Sequence, residues 1–304
     1  MKVVSKPVMS VIIITRDRTG SLAFAINSIL CQNYPKEKYE LIVVDNGPTK
    51  ETAMFVERLG KQLPNTVRYT IEPEIGIPAA RNRGASIAEG ELLAFLDDDA
   101  VASEGWLTTY SELYEKYPEI KAAGGKIELQ FESNVPKWLG PELLVALGYF
   151  NQGDQDRLLP FEQHPFGGNF SVRKGAFEKV GGFVQKVSSC NEEKVFFYKL
   201  YQNGYKVGYS PKALVYHRIG RCRLRKRFFL KRGFRQGIGN IRISQMFETA
   251  KIPEVPCTAK EICRNTGLIL SNLLIRRREY SFSQLYYLSI GFGELFGLMF
   301  RRFL

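Results

Sequence analysis

A chain of 304 residues, 44% of them hydrophobic, is long enough to bury a sizeable core, as one large domain or one domain with an appendage. Its five cysteines (Cys31, Cys190, Cys222, Cys257, Cys263) are odd in number and form no C-x-x-C pair, which argues against a disulfide framework and a structural zinc site. The net charge of +12 is uneven: residues 1–204 carry 23 Lys+Arg against 26 Asp+Glu, residues 205–304 carry 20 against 5, so the last third calls for an anionic partner.

The opening stretch MKVVSKPVMSVIIITRDR holds a short apolar run with no small-residue cleavage pattern after it; no signal peptide is expected, and a cytoplasmic, reducing setting follows as the default. Strands are predicted at Ser10–Ile14, Tyr39–Asp45, Thr66–Glu72 and Glu91–Leu96 from continuous or alternating apolar character. Between the first two, Leu22, Ile26, Ile29 and Leu30 repeat at helical spacing. Strand and helix in alternation imply a mostly parallel sheet with helices on both faces, and ligands in such sheets sit at the carboxyl ends of the strands. A helix over Trp106–Tyr117 and a strand over Ala122–Phe131 follow. Residues 132–165 are irregular, with Pro136, Trp138, Pro141, Gly148, Pro160 and His164, and a segment this long inside a domain is functional or disordered. His164 is expected to be exposed. Order returns at GGNFSVRKGAFEKVGGF, then a helix over Glu192–Asn203 and a strand into ALVYHRI.

Four polar loops fall at one edge of this sheet: TRDR, DNGPT, GIPAARNRG and DDD. They gather Asp17, Asp45, Asp97, Asp98 and Asp99 with Arg16, Arg18, Arg81 and Arg83. Carboxylates that hold a divalent cation, with guanidiniums for the remaining phosphate charge, suit a nucleotide diphosphate. The acidic triplet is expected to face solvent, its repulsion relieved by a cation and ribose hydroxyls.

With these motifs in hand, the chain resembles the family 2 nucleotide-sugar glycosyltransferases, inverting enzymes of the GT-A fold. VIIITRDR is similar to the family's opening strand and loop, LIVVDNGPTKET to its acidic second strand end, GIPAARNRG to its Arg-Asn loop and FLDDDA to its D-x-D metal motif. GGNFSVRKGAFEKVGGF resembles the acceptor-side segment, and the likeness runs from Ser10 to about Ile219. It implies a mixed, mostly parallel, Rossmann-like α/β sheet flanked by helices. A catalytic domain is expected over 1–220, with a nucleotide-sugar half at about 8–100 and an acceptor half at about 101–220, followed by a basic helical C-terminal extension at 221–304. The resemblance implies that Asp45 hydrogen-bonds the nucleotide base, with Thr15 and Asp17 in the same pocket. Arg81 would face the diphosphate, Asp97 and Asp98 the ribose or sugar, and Asp99 a manganese or magnesium ion completed by His217. Gly168, Asn169 and, from the irregular segment, Trp138 are the acceptor-side candidates.

The implied chemistry is transfer of a sugar from a nucleotide-sugar donor to a hydroxyl acceptor, a glycan or a lipid-linked molecule, in polysaccharide or other surface-glycan synthesis. A base must take the acceptor's proton. The family's acidic pair at a helix start falls on Glu192 and Glu193, with Glu193 the candidate base; Glu stands where Asp is usual, and Val195 where a later acid is usual. Both acids would otherwise serve only the helix dipole. Ile14 and Arg16 stand where Pro and Tyr are common and Asn46 replaces an Asp, which leaves the nucleotide open. A sugar-phosphate nucleotidyltransferase would use similar groups, but TRDRTG lacks the glycines of its phosphate loop. A nucleic-acid-binding protein is the non-enzyme alternative; no recognised signature for it is present, so no nucleic acid is expected.

The last third is read as amphipathic. Nine of the eighteen residues from Arg218 to Arg235 are basic, TAKE at Thr258–Glu261 looks like a capping box, and Leu285, Leu288, Phe292, Leu295 and Met299 repeat at helical spacing. The longest uncharged run, Tyr280 to Gly293, is too short to span a bilayer. Peripheral attachment to the cytoplasmic face of an anionic membrane is expected, with a helical pair that packs on the catalytic domain or forms a homodimer as the alternative.

Overall fold

The computed structural model describes residues 8–63, 66–185, 191–246 and 280–300. The predicted TAKE helix lies outside the described residues. The chain divides into two compact units. The first holds residues up to Glu128, Gly148–Gln185 and Glu192–Arg218; the second holds Leu129–Leu147, Asn191 and the residues from Ile219 onward.

Strands β1 (Met9–Thr15), β2 (Tyr39–Asp45), β3 (Val67–Ile71) and β4 (Leu92–Asp97) are parallel neighbours in the order β3-β2-β1-β4. β1 and β2 are buried along almost their whole length, as strands covered on both faces must be. Val11, Ile13, Leu41 and Val43 face one core with Leu22, Ile26 and Ile29 of α1 (Thr19–Leu30). Ile12, Ile42 and Val44 face the other, with a cluster of phenylalanines that includes Phe95, Phe170, Phe183 and Phe196. α2 (Lys50–Gln62) starts at Thr49, whose hydroxyl accepts from the Thr52 N–H at 3.2 Å, a side-chain N-cap.

The stretch read as a loop, GIPAARNRG, is instead mostly helical: it forms the greater part of α3, Ile77–Ile87. Pro78 in the first turn suits a helix start because its missing N–H would find no intrahelical partner there. Gly84 lets the helix lie on the sheet, since a Cβ there would stand 2.5 Å from Ile12 Cγ2 and 3.1 Å from Val44 Cγ2.

Beyond β4 the sheet turns antiparallel through β8 (Asn169–Arg173), β6 (Ile120–Phe131), β9 (Lys206–Ile219) and the short β5 (Ala100–Ala102), while β7 (Arg157–Leu159) pairs with β9. Helix α4 (Trp106–Lys116) carries Trp106 and Tyr110, both of which donate to Asn169 Oδ1 at 2.8 Å. Asn169 Nδ2 in turn donates to the carbonyls of Lys126 and Ala213. This buried amide makes four hydrogen bonds that tie one helix to two strands. α5 (Lys174–Lys179) and α6 (Glu192–Gln202) complete the first unit.

In the second unit, α7 (Lys226–Met246) and α8 (Tyr280–Met299) pack side by side. Their neighbours include the short 3-10 segment Pro141–Leu147 from the irregular stretch, whose Leu143 and Leu147 join a cluster with Phe229 and Phe282. Among the described residues no helix is long and apolar enough to cross a membrane.

Candidate active site

The parallel register aligns Thr15 with Asp45 and Ile14 with Asp97, so the ends of β1, β2 and β4 deliver their polar side chains to one place. Asp45 is fully buried. It accepts from the Tyr69 hydroxyl at 3.0 Å and from the Gly47 N–H at 3.2 Å. Tyr69 is held un-ionised, its pKa pushed up by burial and by the hydrogen bond to Asp45. Asn46 pins the following loop: it donates to the carbonyls of Glu72 (2.9 Å) and Glu74 (2.7 Å) and accepts from the Gly76 N–H (2.8 Å). An aspartate could not make the two donations, which explains the amide at this position. Asp17 is exposed and holds a left-handed backbone, φ 55°, in the turn from β1 into α1.

The acidic triplet faces solvent less than expected. Asp97 is half-buried, but Asp98 and Asp99, in the turn that leads from β4 into β5, are only 6% and 7% exposed. Their charges are met from within the protein. Thr15 donates to Asp98 at 2.8 Å, and one nitrogen of Arg18 reaches Asp98 at 3.2 Å and Asp99 at 3.0 Å. The Asp98 carboxyl is pushed up to about 6, by burial first and by the charge of Asp99 second, with Arg18 and Thr15 acting against them.

The pairing of Ala100 with His217 across β5 and β9 sets the imidazole Nε2 3.2 Å from Asp99 Oδ1. Among the described residues no three His, Cys, Asp or Glu side chains form a ready cation cage. A carboxylate and an imidazole in contact still fit as two ligands of a divalent ion whose other positions belong to phosphate and water, the way magnesium binds at nucleotide sites. A nitrogen of Arg18 occupies the space between Asp98 and Asp99.

Arg81, from α3, is 2% exposed. Its guanidinium contacts Asp97 (3.3 Å), Glu192 (3.2 Å) and the Gly167 carbonyl (3.0 Å), with its Cζ 5.3 Å from the centre of the Phe183 ring. Two glycines make room for this: a Cβ at Gly167 would strike the guanidinium, and one at Gly168 would lie 2.8 Å from Asp97 Oδ2. Glu192 and Glu193 open α6. Glu192 is buried, and its pKa is pushed up to about 8, by burial first and by Glu193 second, against the pull of Arg81. His164, expected to be exposed, is half-buried instead. It is flanked by Phe161, Phe166 and Phe197, and burial lowers its pKa against the opposing charge of nearby Glu193.

Thr15, Asp45, Asp97, Asp98, Asp99, His217, Arg81 and Glu192 thus form two linked clusters in the first unit. Asn169 is committed to the fold by its four hydrogen bonds. Trp138 lies in the apolar cluster of the second unit, edge-on to Phe229 at 5.4 Å and to Phe282 at 4.6 Å. Tyr69 and Gly167 are site neighbours that the sequence does not single out; Asn46 reads there only as a departure from an acidic pattern, and His164 only as an exposed side chain.

The chain is similar to known proteins over most of its length. The family described as Glycosyl transferase family 2 matches residues 10–181. The glucosyl-dolichyl phosphate glucuronosyltransferase of Haloferax volcanii is 24% identical over 306 residues, 96% of each chain. The succinoglycan biosynthesis protein ExoM of Rhizobium meliloti is 27% identical, covering 72% of this chain and 70% of that one. Among solved structures, a mannosyltransferase from Pyrobaculum calidifontis in complex with GDP-Man and Mn2+ superposes with a TM-score of 0.68 at 16% identity, over 96% of this chain and 88% of that one. The fold is therefore that of the GT-A glycosyltransferases. The chain belongs to glycosyl transferase family 2.

Proposed function

We propose that this protein moves a sugar, with inversion, from a nucleotide-sugar donor to a hydroxyl of a glycan or lipid-linked acceptor, in polysaccharide or surface-glycan synthesis. The observation that carries the reading is the Arg81 bridge. It joins Asp97, at the donor end of β4, to Glu192, beside the candidate base Glu193.

Asp45 and Tyr69 offer a carboxylate and a ring edge to the nucleotide base, and Thr15 and Asp17 flank the same pocket. Asp97 and Asp98 face the ribose and sugar hydroxyls, while Asp99 and His217 would hold manganese or magnesium. When bound, such an ion neutralises charge on the departing diphosphate. Glu193 takes the acceptor's proton as its oxygen bonds to the anomeric carbon; the bond from that carbon to the diphosphate oxygen breaks, and no covalent intermediate is needed. Glu192, protonated at neutral pH, does not compete as a base. Gly168 leaves space beside Asp97 for the acceptor. The relatives with lipid-linked or polysaccharide names support an acceptor at a membrane, and we assign the charged C-terminal third to peripheral attachment on the cytoplasmic face.

The test is a panel of nucleotide-sugars, with and without manganese, read for nucleoside diphosphate. Metal-dependent release of the diphosphate from one donor class is expected. Release of inorganic pyrophosphate would assign the site to nucleotidyl transfer and overturn the proposal.

A further inference from the structure

Helices α7 and α8 run parallel. Phe229 meets Phe282, Gly233 lies against Tyr286, Gly237 against Glu294 and Ile241 against Gly297. The crossing is made by glycine pairs spaced four apart on each helix: a Cβ at Gly237 would come within 2.7 Å of the Glu294 nitrogen, and one at Gly293 within 2.9 Å of the Phe234 carbonyl carbon. Backbones this close leave little for large side chains to do between the helices. Phe282 and Tyr286 pack at the N-terminal end of the crossing, while other large apolar side chains of α8 point elsewhere.

At 100° per residue, Leu285, Phe292, Phe296 and Met299 fall within a 60° arc of α8. They are 40%, 53%, 39% and 76% exposed. The same turn angle puts Arg227, Lys231 and Arg235, all exposed, in one row on α7. Both rows lie on the same side of the pair. For parallel right-handed helices the α7 row is about 140° clockwise from the line through Phe229, Gly233, Gly237 and Ile241, and the α8 row about 125° anticlockwise from the line through Phe282, Tyr286, Glu294 and Gly297, so both rows turn outward to one side. Phe234 and Phe296, 5.6 Å apart, close the seam on that side. The opposite side is polar: Asn240 donates to Glu294 at 2.9 Å and Gln236 to Asn191 at 2.6 Å.

We infer that this side of the second unit is a membrane-docking face. The α8 row enters the acyl boundary of an anionic leaflet, and the α7 row lies along its headgroups. This deepens the peripheral attachment proposed above and rests on it. A soluble partner would need a matching acidic rim around an apolar groove; a lipid headgroup layer offers anionic charge beside apolar chains at the depth the two rows require.

The test is co-sedimentation of the full chain with vesicles containing phosphatidylglycerol, against phosphatidylcholine alone, at low and high salt. The parent should bind the anionic vesicles in a salt-sensitive way. Phe292→Asp/Met299→Asp should weaken binding by roughly tenfold or more even at low salt, with unchanged thermal melting and unchanged diphosphate release from the donor when a soluble acceptor is used. Arg227→Glu/Lys231→Glu should remove the salt dependence. If the parent binds and both variants bind as it does, the face is wrong and peripheral attachment survives. If the parent does not bind, both fall. A soluble dimer dissociated by Phe292→Asp/Met299→Asp would give this face to a second copy and overturn the proposal.

Discussion

Replacing Arg81 with methionine keeps side-chain volume and removes the guanidinium that joins Asp97 to Glu192. The Asp97 end is 37% exposed and the Glu192 end 5%, so the screened contact to Asp97 contributes little and the cost falls on Glu192. At neutral pH that carboxyl is protonated, its pKa raised to about 8; the variant then loses hydrogen bonds and not a charge pair, about 1–3 kcal/mol. Without Arg81 the pKa rises further, since Arg81 is the group that lowers it. Above pH 8 the parent ionises Glu192 and the variant still holds the proton, so the penalty should grow by up to ~1.4 kcal/mol per pH unit. Urea unfolding of parent and Arg81→Met at pH 7 and pH 9 reads both quantities. Arg81→Met/Glu192→Gln should show no such growth relative to Glu192→Gln. A penalty that is constant, or shrinks, as pH rises would refute the view that Arg81 acts on a buried, ionising Glu192.

Three further outcomes follow from the same geometry. Glu192, with a folded pKa of about 8 against the usual 4.5, contributes stability that is fully present below about 4.5 and lost as pH rises through about 8; Glu192→Gln should flatten the fall in melting temperature across that window. Gly168→Ala sets a methyl 2.8 Å from Asp97 Oδ2 and should raise the donor KM or lower kcat roughly tenfold or more, since small misplacements of reacting groups are costly, while circular dichroism stays unchanged. Asn46→Asp loses both donations to the Glu72 and Glu74 carbonyls and should destabilise the protein by about 1–3 kcal/mol in urea titrations.

The parallel half of the sheet was legible because buried parallel strands are continuous apolar runs and their ends are polar. The acids at those ends could be placed together before any coordinates. What stayed hidden depends on distance along the chain. Nothing near Arg81 shows that its partner is Glu192, 111 residues away, or that Gly167 supplies the carbonyl beneath it. α3 was mistaken for a loop because its apolar content is mostly alanine and its glycine serves packing, so neither a hydrophobic stripe nor a stop signal marked it. His164 sits in a segment without periodicity, and only folding shows that Phe161, Phe166 and Phe197 shield it. Asn46 looked like a departure from an acidic pattern; its purpose is read from three backbone partners between Glu72 and Gly76. In the last third, charge was visible in the composition, but the glycine-lined crossing that sorts the two rows to one side was not.

The central claim is a division of labour, with Asp99 on the donor's metal and Glu193 on the acceptor's proton. The direct measurement is parent, Asp99→Asn and Glu193→Gln side by side, with donor binding and nucleoside diphosphate release followed under saturating manganese. The account predicts that Asp99→Asn remains folded and loses metal-dependent donor binding and turnover together. Glu193→Gln should bind donor as the parent does and lose roughly 100- to 10,000-fold in transfer. Undiminished release by Asp99→Asn, or a fully active Glu193→Gln beside a dead Glu192→Gln, would contradict it.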